Sequence, residues 1–466
     1  MNNLFSSIKR IHFVGIGGIG MSGIAEILLN QGFDISGSDL NKSENTTYLE
    51  NLGVKVYYSH SKDNIKDAEV VVYSSAVKIS DNVETLEAKE KNIPLIRRAE
   101  MLAEVTRLKY CLAVSGTHGK TTTTSMLAFA LIEANIDPTV IVGGRLRDFG
   151  GTNARLGNGD WILVEADEYD RSFLQLQPTI AVINNIEAEH LDIYSDFDDI
   201  KSTFLEFANK IPFYGFIALG LDDSGVREIY SLLNKKVRTF GLSKHCDVRA
   251  IKIVYDKYRV ECEVLIDDNN VGKLSLNVPG LHNLKNALAT ITVANELGIS
   301  FDTIAKSLSN FKGVYRRFDY KGKFNLLKEN KQISGDVFDD YAHHPSEVKA
   351  ALQAAKNGWN KRIVAVFQPH TYTRTKDLYI DFAQSFDDAD VIIITDVYPA
   401  RELPIEGING KLISDTTTKY GHKSVIYIED INDVLEYLKN TLNDDELVLF
   451  MGAGSIWKVA EELVKN

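Results

Sequence analysis

Residues 110–126 read YCLAVSGTHGKTTTTSM: apolar Cys111, Leu112, Ala113 and Val114 run straight into the loop Ser115 to Gly119, and Lys120 opens a helix-forming stretch. A buried strand, a tight glycine loop and a helix start make a cradle for phosphate. Its two glycines let backbone N–H groups approach an anion, and the helix N-terminus adds the positive end of its dipole. Lys120 supplies a mobile cation for β- and γ-phosphates, and Thr121 a hydroxyl placed for Mg²⁺. The spacing is G-x-x-G-K-T, shorter than G-x-x-x-x-G-K-[ST], so the match to the ordinary P-loop is incomplete.

The chain has 466 residues, 44% hydrophobic and 25% charged, enough for about two to four domains with large cores. A net charge of -12 argues against a general affinity for nucleic acid or an anionic membrane, so an anionic ligand must be met by local positive groups. Cys111, Cys246 and Cys262 are far apart and form no C-x-x-C pair, which suits a reducing cytoplasm and gives no disulfide or zinc framework. There is no signal-peptide pattern, and no uncharged apolar run approaches a membrane span. The expectation is a cytoplasmic protein without membrane insertion.

In residues 1–107 the apolar strand Ile11 to Val14 runs into Gly15-Ile16-Gly17-Gly18-Ile19-Gly20 and then a helical pattern through Leu29. This is a Rossmann-type turn, able to present a helix N-terminus to a diphosphate. Asp39 ends the next strand, where a carboxylate can accept a ribose hydroxyl. Taken alone, the glycines also suit an NAD site or mere helix–strand packing. A further strand, Glu69 to Tyr73, ends in the small residues Ser74 and Ser75 at an edge where parallel sheets bind ligands. Arg97 and Arg98 are open between a phosphate contact and solvated surface charge.

In residues 108–312 the strand Trp161 to Val164 ends in Glu165-Ala166-Asp167-Glu168, and Glu165 abuts the sheet, where it can hold Mg²⁺. The strand Thr179 to Ile183 leads to Asn184-Asn185-Ile186-Glu187-Ala188-Glu189-His190. His190 emerges at the same edge as Thr121 and Glu165, although Mg²⁺ prefers oxygen. From Val248 to Val278 the pattern alternates as β-strands do, and His282, Asn283 and Asn286 then open a helix with two of them on one face. Asparagine can pair with an adenine edge; a helix cap with incidental polar neighbours is the other reading.

In residues 313–466 a Gly313 hinge and the pair Arg316-Arg317 precede five apolar strands alternating with helical runs, a second open α/β sheet. Two strand ends are loaded with polar groups, Asp340-Tyr341-Ala342-His343-His344 and Gln368-Pro369-His370-Thr371-Tyr372-Thr373-Arg374. Together they make a polar edge able to bind a carboxylate through Arg374 and an amine through the histidines.

In this order, the motifs Gly15 to Met21, Ser36-Gly37-Ser38-Asp39, Gly116 to Thr122, Glu165 to Glu168, Asn185 to His190, Gly280 to Asn286, Arg316-Arg317-Phe318, Asp340 to Pro345 and Phe367 to His370 resemble the Mur ligases of peptidoglycan synthesis over nearly the whole chain. The resemblance implies an α/β protein of three domains: a Rossmann-like UDP-sugar domain (1–107), a P-loop ATPase-like central domain with a small β-rich part (108–312), and a Rossmann-like amino-acid domain (313–466). It implies ATP-dependent amide formation between L-alanine and UDP-N-acetylmuramate through an acyl phosphate. Gly15, Gly17, Gly18, Gly20, Asp39, Ser74 and Ser75 then resemble the UDP-sugar contacts. ATP falls to Gly116, Thr117, His118, Gly119, Lys120, Thr121, Thr122, His282, Asn283, Asn286 and Arg317. Thr121, Glu165 and His190 resemble the Mg²⁺ ligands, and Tyr341, His343, His370 and Arg374 the amino-acid end. The catalytic assignments are Lys120, His190, His343 and Arg374, and a homodimer is compatible with the resemblance. Where the family often has Arg, this chain has Thr371, so a contact there is lost or taken over by Arg374. The alternatives are a ligase that attaches a preformed peptide, an NAD-dependent oxidoreductase, and a nucleotide-binding regulator without turnover. The glycine motif with Met21 favours alanine over a peptide, and an oxidoreductase leaves the Gly119-Lys120-Thr121 loop without a purpose.

Overall fold

The computed structural model describes residues 8–144, 152–189 and 193–465. Three sheets organise them, each made of short apolar strands that carry their polar residues at the carboxyl ends.

The first sheet holds β1 (Arg10–Val14), β2 (Asp34–Ser38), β3 (Lys55–Tyr57), β4 (Val70–Tyr73) and β5 (Leu95–Arg97), in the order β3-β2-β1-β4-β5. Every pairing is parallel, so both faces are covered; β4 reads as a continuous apolar run, and β1 as an apolar run interrupted by the buried His12. The helix Ile19–Asn30 buries Met21, Ile24, Ile27 and Leu28 at helical spacing against it. At the edge, β3 has no such apolar run, and nothing in its sequence marks it as a strand.

The second sheet holds β6 (Tyr110–Ser115), β7 (Thr139–Ile141), β8 (Ala154–Arg155), β9 (Trp161–Glu165), β10 (Ile180–Ile183), β11 (Phe216–Gly220) and β12 (Val237–Gly241). Their order is β12-β11-β10-β6-β9-β7-β8, with β8 antiparallel to β7. Ser115 is in register with Ile183, and Val114 with Glu165, so the ends of β10 and β9 flank the loop that leaves β6. The alternating segment forms β13 (Val248–Asp256), β14 (Arg259–Ile266) and β15 (Asn269–Leu276).

The third sheet holds β16 (Asp319–Lys328), β17 (Lys331–Asp340), β18 (Ile363–Phe367), β19 (Val391–Thr395), β20 (Val425–Ile428) and β21 (Leu447–Met451), in the order β16-β17-β21-β18-β19-β20. β16 and β17 form a hairpin; the rest is parallel, with β21 inserted between β17 and β18. Strand alternation divides its side chains between two cores. Phe338, Phe367, Leu449 and Met451 enter one, while Val337, Val366, Val448 and Phe450 enter the other.

The chain divides into two compact units, Met1–Arg249 with Leu265–Val271 and Asn286–Leu308, and Ala250–Val264 with Gly272–Lys285 and Ser309–Asn466. Cys111, Cys246 and Cys262 are buried thiols. Among the described residues no helix is long and apolar enough to cross a membrane.

Candidate phosphate and amino-acid sites

The loop after β6 is held by the chain that leaves β10. Thr117 N donates to Asn185 O at 3.1 Å, His118 N to Asn185 Oδ1 at 2.7 Å, and Glu187 N to Thr117 Oγ1 at 2.8 Å. Gly116 and Gly119 sit at φ +132° and +80°, and a Cβ on Gly119 would lie 2.5 Å from Asn286 Oδ1. No other residue type suits that turn, and Asn286 thereby stands against the loop. Helix Lys120–Glu133 follows with its N-terminus at the turn, and Thr122 is buried in its first turn.

Lys120 Nζ donates to both Glu168 oxygens at 2.8 and 2.7 Å, to Gly116 O at 2.8 Å and to Thr117 O at 3.2 Å. Burial opposes the ammonium, but Glu168 and Asp167 outweigh it and hold the Lys120 pKa above the usual lysine range. On Glu168 burial dominates the opposing pull of Lys120 and pushes the carboxyl up. Thr121 Oγ1 donates to Glu165, 3.0 Å from each oxygen, and Gly143 N donates to Glu165 Oε2 at 2.7 Å. Burial raises the Glu165 pKa. A hydroxyl and a carboxylate side by side at the mouth of a phosphate loop are hard oxygen donors of the kind Mg²⁺ takes, so this pair fits the ion. His190 lies outside the described residues.

The first sheet builds a second glycine turn. Ser38 O accepts from Gly15 N at 2.8 Å and Ile16 N at 3.0 Å, while Asp39 Oδ2 accepts from Gly17 N at 2.9 Å. Asp39 therefore braces the turn as well as ending the strand where a ribose contact was expected. Gly15 lies at φ +82°, with Ser74 3.1 Å from the position its Cβ would take, and a Cβ on Gly20 would be 3.0 Å from Arg98 Nη1. Of the arginine pair left open by the sequence, Arg98 reaches the glycine turn; Arg97 Nε donates to Tyr73 Oη at 3.0 Å. Asn153 Nδ2 donates to Ile19 O, tying this turn to the strand hairpin β7–β8.

In the second unit, β17, β21, β18 and β19 end side by side, since Asp340 is in register with Met451, Met451 with Phe367, and Phe367 with Ile394. This common edge gathers Tyr341, His343, His370 and Arg374. The His343 and His370 rings are 6.0 Å apart, Tyr341 stands 5.3 Å from His343, and Arg374 Nη1 lies 3.4 Å from His370 Nδ1. His343 Nδ1 donates to Tyr341 O at 2.9 Å, which makes Nε2 the basic nitrogen of a neutral ring. Burial, with His343 and Arg374 adding to it, lowers the His370 pKa to about 4, so that ring is neutral at pH 7. Thr371 sits at φ +66° with its N–H on Tyr398 O, and Tyr398 stacks on His370 at 5.7 Å.

The arginines near Gly313 are already engaged. Arg316 donates from Nε to Asp339 at 3.1 Å and from Nη2 to Gly452 O at 2.6 Å, and Arg317 Nη1 donates to Glu347 at 3.3 Å. His282, the first of the helix-opening residues, is buried, and burial, reinforced by Arg317, lowers its pKa to about 4. Asn283 Nδ2 donates to Pro279 O at 2.7 Å, tying the first turn of the helix back to the segment before it. Residues that the sequence did not single out are Glu168 as the partner of Lys120, Glu347 under His343 and Arg317, and Tyr398 against His370. Glu168 was visible only as one acid among several in a row; Glu347 follows His343 by four residues, a spacing that could have pointed to it, while Tyr398 reaches the site from another loop and has no local signature.

Three family models match the chain: "Mur ligase family, catalytic domain" over residues 10–110, "Mur ligase middle domain" over 114–294 and "Mur ligase, glutamate ligase domain" over 322–454. The UDP-N-acetylmuramate–L-alanine ligase of Geotalea daltonii is 50% identical over 463 residues, 99% of each chain. That of Sulfurihydrogenibium sp. is 47% identical over 459 residues, 98% of each. Among solved structures, the UDP-N-acetylmuramate-alanine ligase MurC of Thermotoga maritima is similar at TM-score 0.80 and 30% identity, with 98% of each chain covered. The murein peptide ligase of Psychrobacter arcticus is similar at TM-score 0.69 and 25% identity, again with 98% of each covered.

Proposed function

The chain belongs to the Mur ligase family, and on that premise we propose how its residues divide the work of an ATP-dependent UDP-N-acetylmuramate–L-alanine ligase in peptidoglycan precursor synthesis. The observation that carries the activity is the 50% identity, over 99% of both chains, with a ligase of that name. A division into 1–107 for the UDP-sugar, 108–312 for ATP and 313–466 for the amino acid accords with the three sheets and the three family matches.

The lactyl carboxylate attacks the γ-phosphorus, ADP leaves, and an acyl phosphate forms. The alanine amine then attacks the acyl carbon, and phosphate departs from the tetrahedral intermediate. Lys120 exchanges Glu168 and the loop carbonyls for the β- and γ-phosphate oxygens, where its charge stabilises the in-line transfer. Thr121, Glu165 and His190 would hold Mg²⁺, which would neutralise further charge on the triphosphate. Gly116 to Thr122 line the phosphates, and His282, Asn283, Asn286 and Arg317 serve the nucleotide. Gly15, Gly17, Gly18, Gly20, Asp39, Ser74 and Ser75 hold the UDP end.

At the third sheet Arg374 binds the alanine carboxylate, and Tyr341 and His370 shape the place beside it. His343 receives the ammonium proton on Nε2, because its Nδ1–H is committed to Tyr341 O. His370 offers Nδ1 to Arg374 and orients it. The three buried free thiols accord with a cytoplasmic, reducing location.

Phosphate release from ATP tests the assignment. It is expected only when UDP-N-acetylmuramate and L-alanine are both present. Release driven by the tripeptide but not by alanine would overturn the choice of acceptor in favour of the peptide-attaching ligases.

A further inference from the structure

Under the glycine turn of the first sheet lies a set of buried polar groups that the chemistry above leaves unused. Glu84, in the first turn of helix Val83–Glu90, has no exposed surface. Its carboxylate accepts from Ser38 Oγ at 2.5 Å, His60 Nδ1 at 3.0 Å, Asn64 Nδ2 at 2.6 Å and Ser61 N at 3.4 Å. His12 Nε2 stands 3.8 Å away, and His12 Nδ1 shares a hydrogen with Ser36 Oγ at 2.9 Å. A carboxylate wholly out of water is unfavourable unless its lone pairs are filled, and four donors fill these. An apolar residue could close the same space without that cost, so the arrangement points to something that the acid holds in place.

What it holds is Ser38. On its side-chain end, Ser38 is gripped by Glu84 and by His60 Nδ1 at 3.1 Å. On its carbonyl end it accepts the N–H groups of Gly15 and Ile16, and the next residue, Asp39, takes that of Gly17. Ser38 therefore joins the buried acid to two of the three amides that shape the turn, and the residue after it takes the third. We propose that Glu84 is a positioning residue for UDP-N-acetylmuramate, acting through Ser38 on the Gly15–Gly20 turn; this rests on the reading of that turn as the UDP site. Glu84 touches no substrate. It fixes the direction in which the turn presents its backbone to the diphosphate, as supporting hydrogen bonds fix the groups that meet a ligand.

The test is steady-state kinetics of Ser38→Ala, Glu84→Gln and their double variant, each substrate varied in turn. Ser38→Ala keeps the backbone and removes only the gripped hydroxyl, so it remains informative if Glu84→Gln folds poorly. The KM for UDP-N-acetylmuramate is expected to rise about tenfold in each single variant, with kcat and the KM for ATP and alanine within about twofold. The double variant should be no worse than the weaker single one, because both cut the same link. A Ser38→Ala enzyme with an unchanged KM for UDP-N-acetylmuramate, or one in which all three KM values rise together, would overturn the proposal. Asp39→Asn separates the two levels. If it raises that KM while Ser38→Ala and Glu84→Gln do not, only the positioning role fails; if none of the three variants moves it, the placement of the UDP end fails with it.

Discussion

Lys120→Ala should abolish turnover and also destabilise the protein, by an amount that depends on pH. The Lys120 side chain is 13% exposed and that of Glu168 3%, with Nζ 2.7 Å from the carboxylate. Removing the ammonium leaves Glu168 buried without its cation, a loss of about 3–5 kcal/mol when the acid is forced to stay charged. Burial already raises Glu168 to about 7 with the lysine present, so in the variant its pKa rises further and the acid is protonated at pH 6. The folded variant then binds a proton that the unfolded chain, with an ordinary glutamate, does not. Its stability must therefore fall as pH rises, by up to about 1.4 kcal/mol per unit, until the full penalty is reached. Urea unfolding of wild type and variant at pH 6, 7 and 8 reads this directly, and Lys120→Ala combined with Glu168→Gln should restore most of the loss at pH 8. In the phosphate-release assay the single variant is expected to lose about 10²–10³ in kcat or more, while UDP-N-acetylmuramate binding stays nearly intact. A variant as stable as wild type at pH 8, with kcat within about tenfold, would refute both the buried pairing and the phosphate role.

Further outcomes follow from the same geometry. Glu165→Gln should raise the Mg²⁺ concentration needed for half-maximal activity by about 10–100-fold, read by titrating Mg²⁺ at fixed ATP; an unchanged requirement would remove Glu165 from the metal set. For Glu84, burial pushes up, but the neighbouring His12 and hydrogen bonds from Ser38 and Asn64 prevail and hold the carboxyl at about 2. Its contribution to stability is present above the ordinary glutamate pKa of about 4.3 and is lost as pH falls toward 2, so Glu84→Gln should flatten the acid limb of a thermal-melt pH series. An acid limb unchanged in that variant would contradict the value. His370, lowered to about 4 by burial, stays neutral across the working range. The kcat/KM for alanine should therefore show no inflection from His370 near pH 6.5, and one that vanished in His370→Asn would contradict its burial as the dominant cause.

Much of this was legible because parallel strands announce themselves. Val70–Tyr73, Val391–Thr395 and Leu447–Met451 are apolar on both faces, and their ends mark where polar groups collect. The loop from Gly116 to Thr121 and the Thr121–Glu165 pairing could be read from spacing and strand ends. The edge strand Lys55–Tyr57 could not, since it has no continuous apolar run. Nor could the partner of Lys120 be chosen among Glu165, Asp167 and Glu168. A turn of 3₁₀ helix begins just after Glu168, at Tyr169, and the chain there is pinned by Tyr194 Oη on the Glu168 carbonyl at 2.6 Å, a contact across 26 residues. Glu84 was hidden for a similar reason: its partners come from β2, the loop after β3 and a short turn, and no local pattern joins them.

The central claim is that the muramate carboxylate is activated as an acyl phosphate before the alanine amine attacks it. UDP-N-acetylmuramate carrying ¹⁸O in its lactyl carboxylate, incubated with the enzyme, ATP, Mg²⁺ and L-alanine, should yield inorganic phosphate that has gained one labelled oxygen per turnover. Phosphate free of label, formed alongside the alanine amide, would contradict it.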